Sequence, residues 1–297
     1  MAYHRETDRE TDIPTRRRFL QSAASLALAG LPRAVKQAAL RVGIMDVILG
    51  YPSTPEAFAV ARKIGFEGIQ VMLGRSTAPG GLALSSGDLQ RAILKSSAEQ
   101  HVAIASTYLD ILHRDCLQSS DLARTWVRES IRITKALGAG IVELASFFKC
   151  GLDHPADIDG LVGALRELAP EAQRAGVILG IENTLSAEDN ARILDRVGSP
   201  ALKVRYDIGN ATNMGHFDVP KEIRFLGKER ICQIHIKDQG YLGSGAVNVN
   251  ACLEAIHDIG YTGWCVFETA APSGDRVADA EKNLKIFRET VRSLKRD

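Results

Sequence analysis

With 297 residues, 45% hydrophobic and 25% charged content and a net charge of +1, the chain has room for one large α/β domain or two small ones. These are ordinary globular proportions, and near-neutrality gives no reason to expect a polyanionic partner. The five cysteines (Cys116, Cys150, Cys232, Cys252 and Cys265) form no CxxC pair and no zinc-finger spacing. Their odd number argues against a complete disulfide framework, so they read as small buried apolar side chains.

Residues 1–39 read as a leader. A polar, charged stretch ends in Thr15-Arg16-Arg17-Arg18-Phe19-Leu20-Gln21 and is followed by the apolar run SAASLALAGL. A basic segment before a short apolar one is an export signal, too short to span a bilayer as a helix. The T-R-R-x-F-L-Q pattern resembles a twin-arginine signal. It implies passage through the twin-arginine translocase to the periplasm, with cleavage after Ala29 or nearer Ala39.

From Leu40 on, short apolar runs alternate with amphipathic stretches. Predicted strands lie at 40–46, 68–73, 102–109, 140–146, 177–183, 203–208, 231–238 and 264–269. Their near-continuous hydrophobicity suits strands buried on both faces. Helical periodicity marks TPEAFAVARKIGF, SSGDLQRAILKSSAEQH, DLARTWVRESIRITKALGA, PADIDGLVGALRELAPEAQRAG, VNACLEAIHDIG and the closing DAEKNLKIFRETVRSLKRD. Glycines at Gly65, Gly138, Gly176 and Gly260 fall where helices should end. Eight βα units in residues 40–297 predict an α/β fold, a single-domain (β/α)8 TIM barrel. The doubly wound alternative fails at the first βα turn, IMDVILGYPSTPEAF, which has no glycine-rich phosphate cradle.

Four side chains end the last four strands: Glu182, Asp207, His235 and Glu268. The C-terminal face of such a barrel carries the active site. Three carboxylates and one imidazole converging there would bind one divalent metal ion, best Mn²⁺, with Mg²⁺, Co²⁺ or Zn²⁺ as alternatives. Taken singly, each has a plainer reading: a rim ion pair for either glutamate, a helix cap for Asp207, a satisfied core residue for His235. Together, in strand order, they favour a metal site. Glu143, His113 and Lys149 follow other strands and are further candidates to line the pocket, whereas Lys237 and Asp238 read as a rim ion pair.

Residues 40–297 resemble the xylose-isomerase-like TIM barrels. The pieces that carry the likeness are Gly65-Phe66-Glu67-Gly68-Ile69, Gly180-Ile181-Glu182-Asn183, Asp207-Ile208-Gly209-Asn210, His235-Ile236-Lys237-Asp238, Phe267-Glu268 and the loop Leu242-Gly243-Ser244-Gly245-Ala246-Val247. The resemblance implies that Glu182, Asp207, His235 and Glu268 are metal ligands. It also implies that Glu182 and Glu268 form an acid–base pair across a sugar substrate, one removing and one returning a proton beside a carbonyl through a metal-stabilised enediolate. Glu188 matches a carboxylate that places substrate hydroxyls. Asn210 and Tyr241 occupy substrate-contacting positions where the ketose 3-epimerases commonly carry His and Arg.

The leading expectation is therefore a metal-dependent isomerase or epimerase acting on a free sugar or keto-sugar. A lyase or dehydratase on the same site is the runner-up, for instance by β-elimination from a 3-keto-glycoside. A non-catalytic sugar-binding protein ranks lower. An endonuclease IV-like nuclease is opposed by the lack of basic excess and by a single histidine in a ligand motif. No nucleic-acid partner is expected, and a homo-oligomer is allowed for. Export in the folded state would let the metal load beforehand and disfavours disulfides as a folding requirement.

Overall fold

A computed structural model describes residues 40–74 and 81–294. The leader predicted at residues 1–39 lies outside them. Among the described residues no helix is long and apolar enough to cross a membrane.

The eight predicted strands all form: β1 (Arg41–Met45), β2 (Gly68–Met72), β3 (Ala103–Tyr108), β4 (Ile141–Ala145), β5 (Ile178–Glu182), β6 (Leu202–Asp207), β7 (Ile231–Ile236) and β8 (Trp264–Phe267). Each pairs in parallel with its sequence neighbours, and β8 closes on β1. The chain is thus a closed (β/α)8 barrel. The helices are α1 (Asp46–Leu49), α2 (Glu56–Ile64), α3 (Gly87–Gln100), α4 (Asp121–Ala136), α5 (Pro155–Ala175), α6 (Ala187–Val197), α7 (Ile208–Asn213), α8 (Val219–Arg230), α9 (Val249–Asp258) and α10 (Arg276–Ser293).

Local signals start and stop these elements. Ser86 and Ser120 cap α3 and α4 by accepting from the Leu89 and Ala123 amides. Gly65 and Gly176 end α2 and α5 with φ of 105° and 71°, a region that costs other residues. Each large helix turns one apolar stripe toward the strands; on α4 that stripe includes Trp126, Val127 and Ile131, all buried.

The interior of the barrel is different. Its lower end is plugged by Trp264, with the Arg41 guanidinium 4.4 Å above the ring. Higher up, the buried residues Gln70, Ser106, Glu143, Arg205 and Gln233 make a polar layer just below the site.

The cysteine expectation needs a correction. Cys116 and Cys150 form a disulfide, and only Cys232, Cys252 and Cys265 are free. The bridged residues are 34 apart in sequence. They meet because adjacent strands β3 and β4 deliver their following loops to the same place, a proximity that cysteine spacing alone does not reveal.

Candidate metal centre

The register of the barrel brings the four predicted ligands together. Asp207 pairs directly with His235 across β6 and β7, Glu182 ends β5, and Glu268 stands one residue past β8. One donor atom from each of Glu182, Asp207, His235 and Glu268 lies within 4.8 Å of the others. Oxygen and nitrogen ligands about 2.0–2.6 Å from one ion sit at such mutual distances.

Two atoms of the cluster fit an ion in particular. Asp207 Oδ2 and His235 Nδ1 are buried and make no hydrogen bond, a costly state for polar atoms unless something else satisfies them. His235 Nδ1 stands 3.1 Å from Glu268 Oε2 and 3.4 Å from Asp207 Oδ2. The other face of each side chain is engaged. Asp207 Oδ1 accepts from the Gly209 and Asn210 amides, so it caps α7 as well. His235 Nε2 lies 3.0 Å from Gln70 Oε1. Gln70 spends its amide NH₂ on Glu143 Oε2 at 2.7 Å, so its oxygen must accept. Nε2 of His235 therefore carries the proton, and the Nδ1 lone pair faces the cluster as a metal ligand requires.

Each glutamate of the cluster has its own cation. Glu182 is ion-paired to the fully buried Arg205 and accepts from Asn210 Nδ2 at 3.2 Å. Arg205 also holds Glu143 Oε2 at 2.9 Å. Glu268 Oε2 is 3.1 Å from Lys237 Nζ. Lys237 is therefore a member of the site and not the partner of Asp238 in a rim ion pair. Asp238 turns away and accepts from the Gly243 and Gly245 amides, bracing the loop that follows β7. Gly209 makes room for Lys237, because a Cβ there would come within 2.8 Å of the lysine chain.

Four carboxylates (Glu143, Glu182, Asp207, Glu268) face two cations (Arg205, Lys237). Two negative charges are left over, the charge of one divalent ion, and burying them uncompensated would be costly. The titration behaviour agrees. Burial, aided by the charges of Glu143, Asp207 and Glu268, pushes the Glu182 carboxyl up despite Arg205. The cluster thus cannot ionise fully with the cations it has.

Above the cluster lies a cavity of about 330 Å³, the size of small-molecule sites. Glu182, Glu268, Asn210 and Lys237 line it from the side of the cluster, and Glu143, His113 and Tyr108 from the opposite side. Glu143 and His113 are thus where the sequence suggested, whereas Lys149 is exposed and not among the lining residues. Asn210 is in place beside Glu182. Tyr241 instead gives its hydroxyl to Asp279 of α10 at 2.6 Å, under Lys282. Glu188 is exposed on the first turn of α6. Neither lines the cavity.

Asp46, at the end of β1, is a buried carboxylate outside the cluster. Oδ2 accepts from the Ser53 and Met72 amides, Oδ1 is unpartnered, and burial pushes its carboxyl from 3.8 up to about 7. Between those values the folded state binds more protons than the unfolded state, so this group's contribution to stability is lost as pH rises. Asp46→Asn is expected to remove that slope. Unfolding free energies compared from pH about 4 to about 7 should shift in the variant's favour by up to about 1.4 kcal/mol per pH unit. A pH-independent difference would show that Asp46 is ionised throughout.

Known proteins share this architecture. The chain is 26% identical over 225 residues to the 2-epi-5-epi-valiolone 7-phosphate 2-epimerase of Actinoplanes sp., covering 73% of this chain and 82% of that one. A solved L-ribulose 3-epimerase superposes with a TM-score of 0.73 at 20% identity, over 86% of this chain and 96% of its own. A 3-keto-D-glucoside 4-epimerase from E. coli does so with 0.68 at 14% identity, over 84% and 99%. Residues 58–295 match the family described as Xylose isomerase-like TIM barrel, and the chain belongs to that family.

Proposed function

We propose that the protein is a divalent-metal-dependent sugar isomerase or epimerase acting on a free sugar or keto-sugar, with Glu182, Asp207, His235 and Glu268 as ligands. The observation that carries this reading is the convergence of two unpartnered buried donors, Asp207 Oδ2 and His235 Nδ1, between two glutamates that each hold a separate cation. A three-oxygen, one-nitrogen donor set favours Mn²⁺ among the divalent ions. When bound, the ion would polarise a substrate carbonyl and its neighbouring hydroxyl.

The residues of the chain would do the rest. Glu182 and Glu268 enter from β5 and β8, and with substrate between them one takes a proton from the carbon beside the carbonyl. The electron pair moves onto the carbonyl oxygen to give an enediolate, and the other glutamate returns a proton. Arg205 fixes the orientation of Glu182, and Lys237 that of Glu268. Asn210 presents its amide to a substrate hydroxyl. Among the described residues Lys237 is the one lysine or arginine that lines the cavity, and it is engaged with Glu268. This favours a non-phosphorylated substrate over the phosphate ester that the Actinoplanes relative's name specifies. The epimerase relatives support epimerisation, and the lyase alternative draws no support from them.

Product analysis in D2O tests the reading. Incubation with a panel of ketoses and 3-keto-glucosides is expected to give epimers or isomers of unchanged mass apart from deuterium. Release of a leaving group or of water would replace this reading with the lyase.

We also propose export through the twin-arginine route. The translocase would read the guanidinium pair at Arg16 and Arg17, whose planar donor forks lysine lacks. Arg16→Lys with Arg17→Lys is expected to hold the precursor in the cytoplasm, as followed by cell fractionation. Normal amounts in the periplasm would assign the leader to another pathway.

A further inference from the structure

The metal donors all come from β5 to β8. The opposite wall of the cavity is built by the segments after β3 and β4, and these segments are tied together three times over. The Cys116–Cys150 disulfide joins them covalently. Gln118 Nε2 donates to the Cys150 and Gly151 carbonyls at 3.1 and 3.3 Å. The His113 ring stacks on Phe147 at 5.9 Å between centroids and lies 5.8 Å from that of Phe148.

Two features of this wall face the cavity. The Tyr108 hydroxyl and His113 Nδ1 are buried without a hydrogen bond, although both residues line the cavity. Burial raises the Tyr108 phenol above its ordinary range, so it stays protonated and can donate. Phe148 is the second feature. It is 77% exposed, the highest value among the large exposed hydrophobic residues described, and its φ is 55°. A left-handed backbone is strained for an aromatic residue, and such strain clusters at ligand sites. Met214, 49% exposed, lines the same cavity from the α7 side. Phe148 and Met214 thus both add apolar surface to a cavity that Glu182 and Glu268 make polar.

We propose that the disulfide-stapled wall is a second recognition subsite. In it Tyr108 and His113 bind hydroxyls of the ring held at the metal centre, and Phe148 stacks on a ring attached to it. The substrate class is therefore a glycoside carrying a second sugar or an aromatic aglycone, rather than a bare monosaccharide. The proposal rests on the sugar-directed reading of the site, but it concerns binding and not proton transfer. Cys116 and Cys150 touch no substrate. They are positioning residues that hold Phe148 and His113 in place.

Equilibrium binding of 4-nitrophenyl glucosides and methyl glucosides, both anomers, to the full chain with Mn²⁺ tests this without requiring turnover. The aryl glucoside of one anomer is expected to bind about tenfold more tightly than its methyl counterpart, the scale of one aromatic stack. That preference should be lost in Phe148→Ala. It should also be lost in Cys116→Ala/Cys150→Ala, and in wild-type protein whose disulfide dithiothreitol has reduced to two thiols, itself becoming the cyclic disulfide. Equal binding of aryl and methyl glucosides by the wild type overturns the subsite. A preference that survives in Phe148→Ala removes Phe148 from it, and one that survives reduction reduces the disulfide to a stabilising link. Failure of the metal chemistry would appear instead as absent proton exchange with this binding preference intact.

Discussion

Glu182→Gln and Glu268→Gln are each expected to slow exchange of substrate protons with solvent by at least about 10²-fold, the usual scale of a general acid–base contribution. Gln keeps the size of the side chain and one oxygen able to coordinate, but it cannot accept a proton at neutral pH. Metal content should therefore remain near one ion per chain while exchange collapses. Wash-in of deuterium beside the carbonyl of a reactive ketose, followed by proton NMR in each single variant, separates the possible outcomes. Loss in both variants supports a two-base scheme. Loss in only one shows that a single carboxylate serves both directions. If neither loses exchange, both glutamates are ligands alone, and Glu143, whose Oε2 is held by Arg205 and Gln70 at the cavity wall, becomes the next base to test.

Arg205→Met is expected to cost about 3–5 kcal/mol of stability in metal-free protein. Removing the cation strands two buried carboxylates, Glu143 and Glu182, in the barrel interior. For a domain of this size that is a fall in melting temperature of roughly 10 °C. Much of the cost is the penalty on the stranded charges and not the worth of the bond itself. Adding Glu143→Gln to Arg205→Met should therefore recover part of it, and Mn²⁺ should recover more than it adds to the wild type. Urea denaturation in chelator of the wild type, Arg205→Met, Glu143→Gln and the double variant gives the coupling directly. An additive pair, with no recovery, would mean that Glu143 is neutral or solvated beside Arg205.

The barrel was legible because its strands are continuous apolar runs of the right length, and all eight appear within a few residues of their expected bounds. The convergence of Glu182, Asp207, His235 and Glu268 is legible because they are metal-ligand residue types at strand ends, where burial of a carboxylate requires a reason. What the sequence hid depends on direction or on distant pairing. Arg205 in KVRYDI looks like an ordinary polar interruption of a strand, yet it points into a closed barrel where no solvent reaches it. Gln70 likewise sets the tautomer of a histidine 165 residues away. The sequence pairs Lys237 with its neighbour Asp238, but adjacent residues face opposite sides, and the lysine joins the cluster. The resemblance to ketose 3-epimerases puts Tyr241 at a substrate-contacting position. In the structure the Asp279 carboxylate takes its hydroxyl, a contact set by where α10 packs. The Cys116–Cys150 bridge depends on two loops meeting over the barrel mouth.

Chelator-stripped protein titrated with Mn²⁺, with deuterium wash-in read at each point, tests the metal-dependent proton transfer most directly. Exchange is expected to be absent in the stripped wild type and to saturate at one ion per chain. Asp207→Ala/His235→Ala should neither bind the ion at that stoichiometry nor exchange. A stripped wild type that exchanges at the full rate would contradict the metal centre, as would a double variant that binds and exchanges like the wild type.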